Sequence, residues 1–240
     1  MFFYIIKKAL LNLLPEKYQS AINYQIMNKR LVRSLDIKDG HIIFDVGAHN
    51  GESIQMFLNS KKKITIHAFE PINKCFKKLR SIYEKKKNII LNNYAITDKI
   101  GKYFFFENNH TQTSGFLKLN KNYNYKNYIF ETTKKYKVKT LTLDKYCKKN
   151  KIKKINLLKI DVQGLEEMVL KGATSLIKRK LIKNILLEII FCDHYERTSN
   201  FYKIEKLLIK QGFYLKNLSS PAYNSVNSRI DWIDALYSLK

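Results

Sequence analysis

The chain has 240 residues, 45% of them hydrophobic and 13% aromatic, so it is long and apolar enough for one sizeable domain and is neither disordered nor fibrous. Its formal net charge is +25, which indicates a solvated basic surface or a patch that attracts an anionic substrate, membrane or nucleic acid. The three cysteines form no CxxC pair, which excludes a disulfide framework and a cysteine-based zinc site and suits the cytoplasm.

The chain begins with an amphipathic stretch, MFFYIIKKALLNLLPEKY (1–18). Its apolar residues recur at helical spacing, but Lys7 and Lys8 interrupt it and Pro15 ends it, so neither a transmembrane span nor a signal peptide fits. Two interpretations stay open: a helix that packs on the domain, or a basic helix that lies on an anionic membrane. We assign residues 1–40 to an N-terminal helical extension and 41–240 to one α/β domain.

From residue 41 onward, short apolar runs alternate with helical patterns. The predicted strands are 41–47, 64–70, 89–96, 102–108 as a hairpin strand, 155–162, 182–190, 212–219 and 230–239, and the predicted helices are 53–60, 72–86, 165–179 and 199–211. This alternation predicts a mostly parallel sheet covered on both faces, with the last two strands as an antiparallel edge. Such a sheet binds ligands at the carboxyl ends of its strands. The residues that end the apolar runs are Asp45, Glu70, Ala95, Asp161 and Glu188.

The stretch IIFDVGAHNG (42–51) ends the first strand with two glycines, Gly47 and Gly51. Missing side chains let the backbone approach a ligand, although an ordinary strand-to-helix turn has the same composition. The stretch does not match GxGxxG, and it lacks the lysine of GxxxxGK. Asp45 would repel a pyrophosphate but suits a ligand with an ammonium group.

The second strand ends in Glu70. A carboxylate at this place in an open α/β sheet commonly accepts hydrogen bonds from ribose hydroxyls; the alternative is a helix N-terminal charge before Pro71. With Asp45 and the two glycines, it favours a cofactor that contains a nucleoside and an amino acid but no phosphate. S-adenosylmethionine is such a cofactor.

Six stretches within residues 41–190 resemble the FkbM-type methyltransferases and occur in the order of that family: FDVGAHNGES, HAFEPINKCFKKL, NNYAITDKIG, VKTLTLDKY, LLKIDVQGLEEMVLKGA and NILLEI. The resemblance implies a Rossmann-like class I methyltransferase fold with a seven-stranded sheet and an S-adenosylmethionine cofactor. It also implies that the 45–51 turn holds the methionine end of the cofactor, that Glu70 holds the ribose and that Asp161 faces the sulfonium. The candidate cofactor-binding residues are Asp45, Gly47, Ala48, Asn50, Gly51, Glu70, Pro71, Ala95 and Ile96.

Methyl transfer to a hydroxyl needs alignment of the acceptor and removal of its proton. Asp161 is the first candidate, either as the base or as a ligand of a divalent metal. Glu188 and His194 are the other catalytic candidates, and together the three side chains could hold a cation. Their alternatives are a structural hydrogen-bonding carboxylate for Glu188 and a surface loop histidine for His194. Ser114 is either a cofactor or substrate contact or part of a solvated loop. Glu166, in the first turn of a helix, is left out of catalysis.

The resemblance implies an O-methyltransferase that acts on a hydroxyl of a sugar or nucleotide-linked sugar in surface polysaccharide biosynthesis, located in the cytoplasm and in peripheral contact with the membrane if the N-terminal helix binds there. Two alternatives stay open. The charge suggests an RNA methyltransferase, although KIDVQG stands where amino-directed base enzymes carry [ND]PP[YF]. The amphipathic N-terminus suggests a non-catalytic membrane-associated module.

Overall fold

The structure, a computed structural model, describes residues 31–60, 62–121, 123, 129–224 and 226–240. Most of the predicted N-terminal extension lies outside the described residues, and residues 31–34 are helical. The strands are β1 (Ile42–Val46), β2 (Thr65–Phe69), β3 (Ile89–Asn92), β4 (Ala95–Ile96), β5 (Gly101–Asn108), β6 (Thr132–Leu141), β7 (Ile155–Ile160), β8 (Ile182–Ile190), β9 (Phe213–Leu218), β10 (Ala222–Tyr223) and β11 (Ile230–Leu239). The helices are α1 (Glu52–Leu58), α2 (Asn73–Tyr83), α3 (Leu143–Lys149), α4 (Glu166–Lys171), α5 (Thr174–Lys178) and α6 (Phe201–Lys210). Across the described ranges, no helix combines the length and the hydropathy needed to cross a membrane.

The main sheet has the strand order β10-β11-β8-β7-β1-β2-β3, and β9 also pairs with β11. Strands β3, β2, β1, β7 and β8 are parallel neighbours, whereas β11 runs antiparallel to β8, β9 and β10. The predicted mostly parallel sheet with an antiparallel edge is therefore confirmed. It has eight strands rather than seven because β9 and the short β10 share the outer side of β11. The order reverses at β1, where such a sheet binds ligands.

Both faces of the main sheet are apolar over most of their length. Ile43 and Leu157 lie side by side on one face, and Phe44 and Leu158 on the other. All four are buried, and each pair belongs to a different hydrophobic cluster. Successive residues of a strand point to opposite faces, so helices must cover both sides.

A second sheet, with the order β4-β6-β5, stands beside the main one. The predicted strand 89–96 is divided between the two sheets, as β3 and β4. The hairpin strand predicted at 102–108 is present as β5, antiparallel to β6, a strand that the sequence pattern did not single out. The inner face of this sheet buries Phe105 and Val138 against Ile72 and Ala95. It therefore forms a wall next to the end of β2.

The prediction of a single helix over 165–179 is wrong in one respect. This segment forms two short helices, α4 and α5, which are separated at Gly172 and Ala173. A Cβ on Gly172 would lie 2.1 Å from the backbone oxygen of Thr97. The helix pair therefore packs directly on the loop after β4, an approach that only a glycine permits.

Candidate active site

A pocket with about 500 Å³ of open space lies at the carboxyl ends of β1, β2 and β7. Asp161 and Glu70 provide its carboxylates, and the β4–β6–β5 sheet closes one side through Phe105. The predicted cofactor residues on its wall are Gly47, Glu70, Pro71, Ala95 and Ile96. Asp45, Ala48, Asn50 and Gly51 are not on this wall. Phe105, Phe116 and Ile72 line the pocket too, and none of them is among the predicted site residues.

The two glycines of the 45–51 turn face protein rather than open space. Gly47 has φ +86°, and a Cβ there would lie 1.8 Å from the backbone oxygen of Asp161. Gly51 has φ +93°, and a Cβ there would lie 2.9 Å from Leu79 Cδ2 of α2. Gly47 therefore brings the ends of β1 and β7 together, and Gly51 makes room for α2.

Glu70 is a deeply buried carboxylate of the pocket, and only 3% of the residue is exposed. Its Oε2 accepts a hydrogen bond from the backbone N–H of His49 over 2.7 Å, and its Oε1 accepts one from Ile72 N–H over 2.7 Å. Burial raises the pKa of Glu70 to about 7, although these backbone donors oppose the shift. Each oxygen accepts one backbone donor, so lone pairs remain for a ligand in the pocket.

Asp45 lies behind the turn, with no exposed surface. Ser53 Oγ donates to its Oδ2 over 2.6 Å, and Lys159 Nζ lies 3.6 Å from its Oδ1. Burial raises the pKa of Asp45, and the ammonium of Lys159 opposes that shift. In this structure the Asp45 carboxylate stabilises the turn through its contacts with Ser53 and Lys159. Its contact with a cofactor ammonium stays a prediction.

Lys159 connects the turn to the candidate base. Besides its contact with Asp45, its Nζ lies 3.2 Å from Asp161 Oδ2, and only 14% of its side chain is exposed. Residues 45 and 159 are neighbours across β1 and β7, and Asp161 follows Lys159 by two residues on the same face. A lone lysine in the apolar run INLLKI is the sequence signal for this contact.

Gln163 joins Asp161 to Glu188. Its Nε2 donates to Asp161 Oδ1 over 2.9 Å and to Glu188 Oε2 over 3.1 Å, and the hydroxyl of Tyr195 donates to its Oε1 over 2.7 Å. Gln163 has φ +58°, a left-handed conformation that is strained for this residue type. Glu166, which we had expected to act only at a helix start, is buried and accepts from Gly164 N–H over 3.1 Å. It holds this strained loop in place.

The carboxylates at this edge of the sheet differ in how readily they ionise. Burial, followed by the negative charge of Asp161, raises the pKa of Glu188 well above its ordinary value. Asp234 lies opposite Glu188 across β8 and β11, and burial raises its pKa to about 6. Asp161 is partly exposed, with 33% of its side chain accessible to solvent.

His194 does not join the two carboxylates. Its ring lies 4.6–5.0 Å from the rings of Tyr123, Phe130 and Tyr195, and burial lowers its pKa to about 4. It is thus a buried histidine of the loop after β8 rather than a surface loop histidine, and Tyr195 provides the link to Gln163 in its place. Across the described ranges, no three His, Cys, Asp or Glu side chains cluster as metal ligands do.

Ser114 lies on the pocket wall, in a buried loop rather than a solvated one. Its Oγ accepts a hydrogen bond from Asn108 N–H over 2.9 Å. That bond fixes the loop which follows β5 and brings Gly115 and Phe116 to the pocket.

A model of the methyltransferase FkbM domain matches residues 45–215, well over half of the chain. The chain belongs to the FkbM methyltransferase family. The 2-O-methyltransferase NoeI of Sinorhizobium fredii (strain NBRC 101917 / NGR234) is 27% identical over 149 residues, which are 60% of this chain and 61% of NoeI. The crystal structure of methyltransferase FkbM from Methylobacillus flagellatus KT matches with a TM-score of 0.54 and 14% identity, over 84% of this chain and 44% of that one.

These comparisons confirm the family and the Rossmann-like fold that the motifs predicted. They place the domain among S-adenosylmethionine-dependent methyltransferases. The chain spans less than two thirds of the length of either relative.

Proposed function

We propose that the protein transfers a methyl group from S-adenosylmethionine to a hydroxyl oxygen of a sugar or nucleotide-linked sugar, in surface polysaccharide biosynthesis. The observation that carries the proposal is the pairing of Glu70 and Asp161 on the wall of one pocket. In the resemblance to the family, the first holds the cofactor ribose and the second faces the acceptor. A pocket with both carboxylates can hold a nucleoside and accept a proton next to it.

The chemistry of the pocket lining suits the cofactor. Glu70 is fixed by two backbone donors and keeps acceptor capacity for the two ribose hydroxyls. Ala95, Ile96, Ile72 and Phe105 give the adjoining wall an apolar lining, which suits an adenine ring. When bound, S-adenosylmethionine supplies an electrophilic methyl group on a sulfonium.

Asp161 is the group we propose to receive the acceptor proton. Its side chain is partly exposed, and Lys159 and Gln163 hold its two oxygens from different sides. These two contacts orient the carboxylate of Asp161 and leave lone pairs on its oxygens for an acceptor hydroxyl, which a general base must reach within hydrogen-bond distance. Glu188, whose pKa is raised by burial and by Asp161, is protonated over a wider pH range and avoids a second negative charge at the same place.

The acceptor class rests on the family and on one relative. NoeI is a 2-O-methyltransferase, which favours an oxygen acceptor for this chain over nitrogen or carbon. A nucleotide-linked sugar carries phosphates, and the net charge of +25 would attract it over a long range. No described residue cluster marks a metal site, so metal dependence is decided by a chelator in the assay below.

The test is a methyl-transfer assay with labelled cofactor against a panel of nucleotide sugars, with and without a chelator, and with RNA as a competing acceptor. We expect the Asp161→Asn variant to lose at least about a hundredfold in turnover while it still binds the cofactor by calorimetry. Glu84→Gln, an exposed carboxylate on the far end of α2, is the matched control and should keep full activity. An active Asp161→Asn variant, or transfer to RNA but to no sugar, would refute the proposal.

A further inference from the structure

The outer face of the β5–β6 hairpin combines exposed aromatic rings with lysines. The residues of this face are neighbours across the two strands: Phe104 of β5 pairs with Lys137 of β6, Phe106 with Lys135, and Lys102 with Lys139. Because alternate residues share a face, all six side chains project away from the pocket, while Phe105 between them points inward. The hairpin thus has one face built into the site and one turned to solvent.

The outer face of the hairpin is strongly basic. Lys102, Lys135, Lys137 and Lys139 are exposed, and none of them has a carboxylate within ion-pair distance among the residues that the structure describes. Phe104 is 51% exposed in the middle of this group. Four unneutralised ammonium groups around an exposed ring are complementary to an anionic partner with an apolar layer beneath its charges.

We propose that the outer face of β5–β6 docks on an anionic phospholipid bilayer. Lysines extend toward lipid phosphates while their stems lie on apolar surface, and a ring at their centre can enter the interfacial layer. Ile100 directly precedes β5 and is 58% exposed. It adds an aliphatic side chain at the end of the hairpin where Lys102 pairs with Lys139. This face shares no residue with the pocket wall.

A bilayer fits this face better than single-stranded RNA does. Base stacking requires rings with open faces, but Lys135 Nζ lies 4.5 Å and Lys137 Nζ 5.2 Å from the centroid of Phe104. Lys135 lies 5.6 Å from the ring of Phe106 as well. Ammonium groups over the rings occupy the surfaces that bases would need, and the aliphatic Ile100 offers no stacking surface.

The test uses the full chain in sedimentation with vesicles of phosphatidylcholine alone or mixed with phosphatidylglycerol. We expect binding only to the anionic vesicles, weakened by salt. At about fivefold per lysine, the Lys135→Gln/Lys137→Gln variant should bind about thirtyfold more weakly, and Phe104→Ser about tenfold more weakly. All these side chains are exposed, and circular dichroism verifies that the variants are folded.

Two matched controls separate this face from other causes of binding. Lys77→Gln/Lys78→Gln removes the same charge from the exposed side of α2 and should change binding by less than about threefold. Ile5→Ser/Ile6→Ser tests the N-terminal segment in the full chain. Equal losses in both lysine pairs, or loss only in the N-terminal variant, would overturn the proposal. So would loss of single-stranded RNA binding in the Lys135/Lys137 variant while vesicle binding stays unchanged.

Discussion

Replacement of Lys159 by methionine removes the cation between Asp45 and Asp161 and keeps most of the volume of the side chain. The Nζ atom lies 3.6 Å from Asp45 Oδ1 and 3.2 Å from Asp161 Oδ2. At an effective dielectric constant of about 20, each contact corresponds to about 5 kcal/mol of Coulomb attraction, most of which is offset by the desolvation of the charges. Asp161 is partly solvated, so most of the net loss comes from the fully buried Asp45.

We expect Lys159→Met to lower the free energy of unfolding by about 3 kcal/mol near neutral pH, as for other buried ion pairs that lose one partner. Without the ammonium, the pKa of Asp45 rises further above its unfolded value of about 4. Folding of the variant then requires a proton on Asp45. The stability of the variant therefore falls as pH rises from the pKa of Asp45 in the unfolded chain toward its higher pKa in the folded variant. The difference from wild type should therefore be largest at about pH 8 and smallest at about pH 4.

The assay is urea denaturation of wild type, Lys159→Met, Asp45→Asn and the double variant at several pH values. In the double variant the buried carboxylate is absent, so we expect the two substitutions to be strongly non-additive, with a coupling of about 2 kcal/mol. Lys159→Met should also show reduced methyl transfer, because Asp161 loses one of its two donors. Additive effects, or a stability difference that does not vary with pH, would refute an ion pair between residues 45 and 159.

Three further outcomes are expected. Glu70→Gln should weaken cofactor binding by about tenfold to a hundredfold in calorimetry. Because burial raises the pKa of Glu70 to about 7, the affinity of the wild type for the cofactor should fall from about pH 8 to about pH 6. A Glu70→Gln variant with the same pH dependence as the wild type would contradict this role. Gly47→Ala should cost more than about 2 kcal/mol of stability, because its Cβ would meet the Asp161 backbone. Gly40→Ala, at φ +76° with nothing within 4 Å, should cost only about 1 kcal/mol, and equal costs in urea denaturation would rule out the packing argument.

The sequence alone determined the main sheet, its strand-and-helix alternation and the edge of the sheet where the pocket lies. Apolar runs such as 155–162 are continuous because their strands are buried on both faces. Glu70 and Asp161 end such runs, and a parallel sheet brings strand ends to one edge whatever the rest of the chain does. The local pattern is therefore enough to predict that both residues lie at this edge of the sheet.

The tertiary structure decided which side chains meet at that edge. The contact of Lys159 with Asp45 joins residues more than a hundred positions apart, and Gln163 connects Asp161 with Glu188 across two strands. His194 follows β8 closely in sequence, yet it turns into an aromatic cluster away from the carboxylates. Hydrophobic periodicity fixes the direction of a side chain only within its own element, so these pairings depend on packing between elements. The second sheet, which closes the pocket through Phe105 and turns Phe104 to solvent, was decided in the same way.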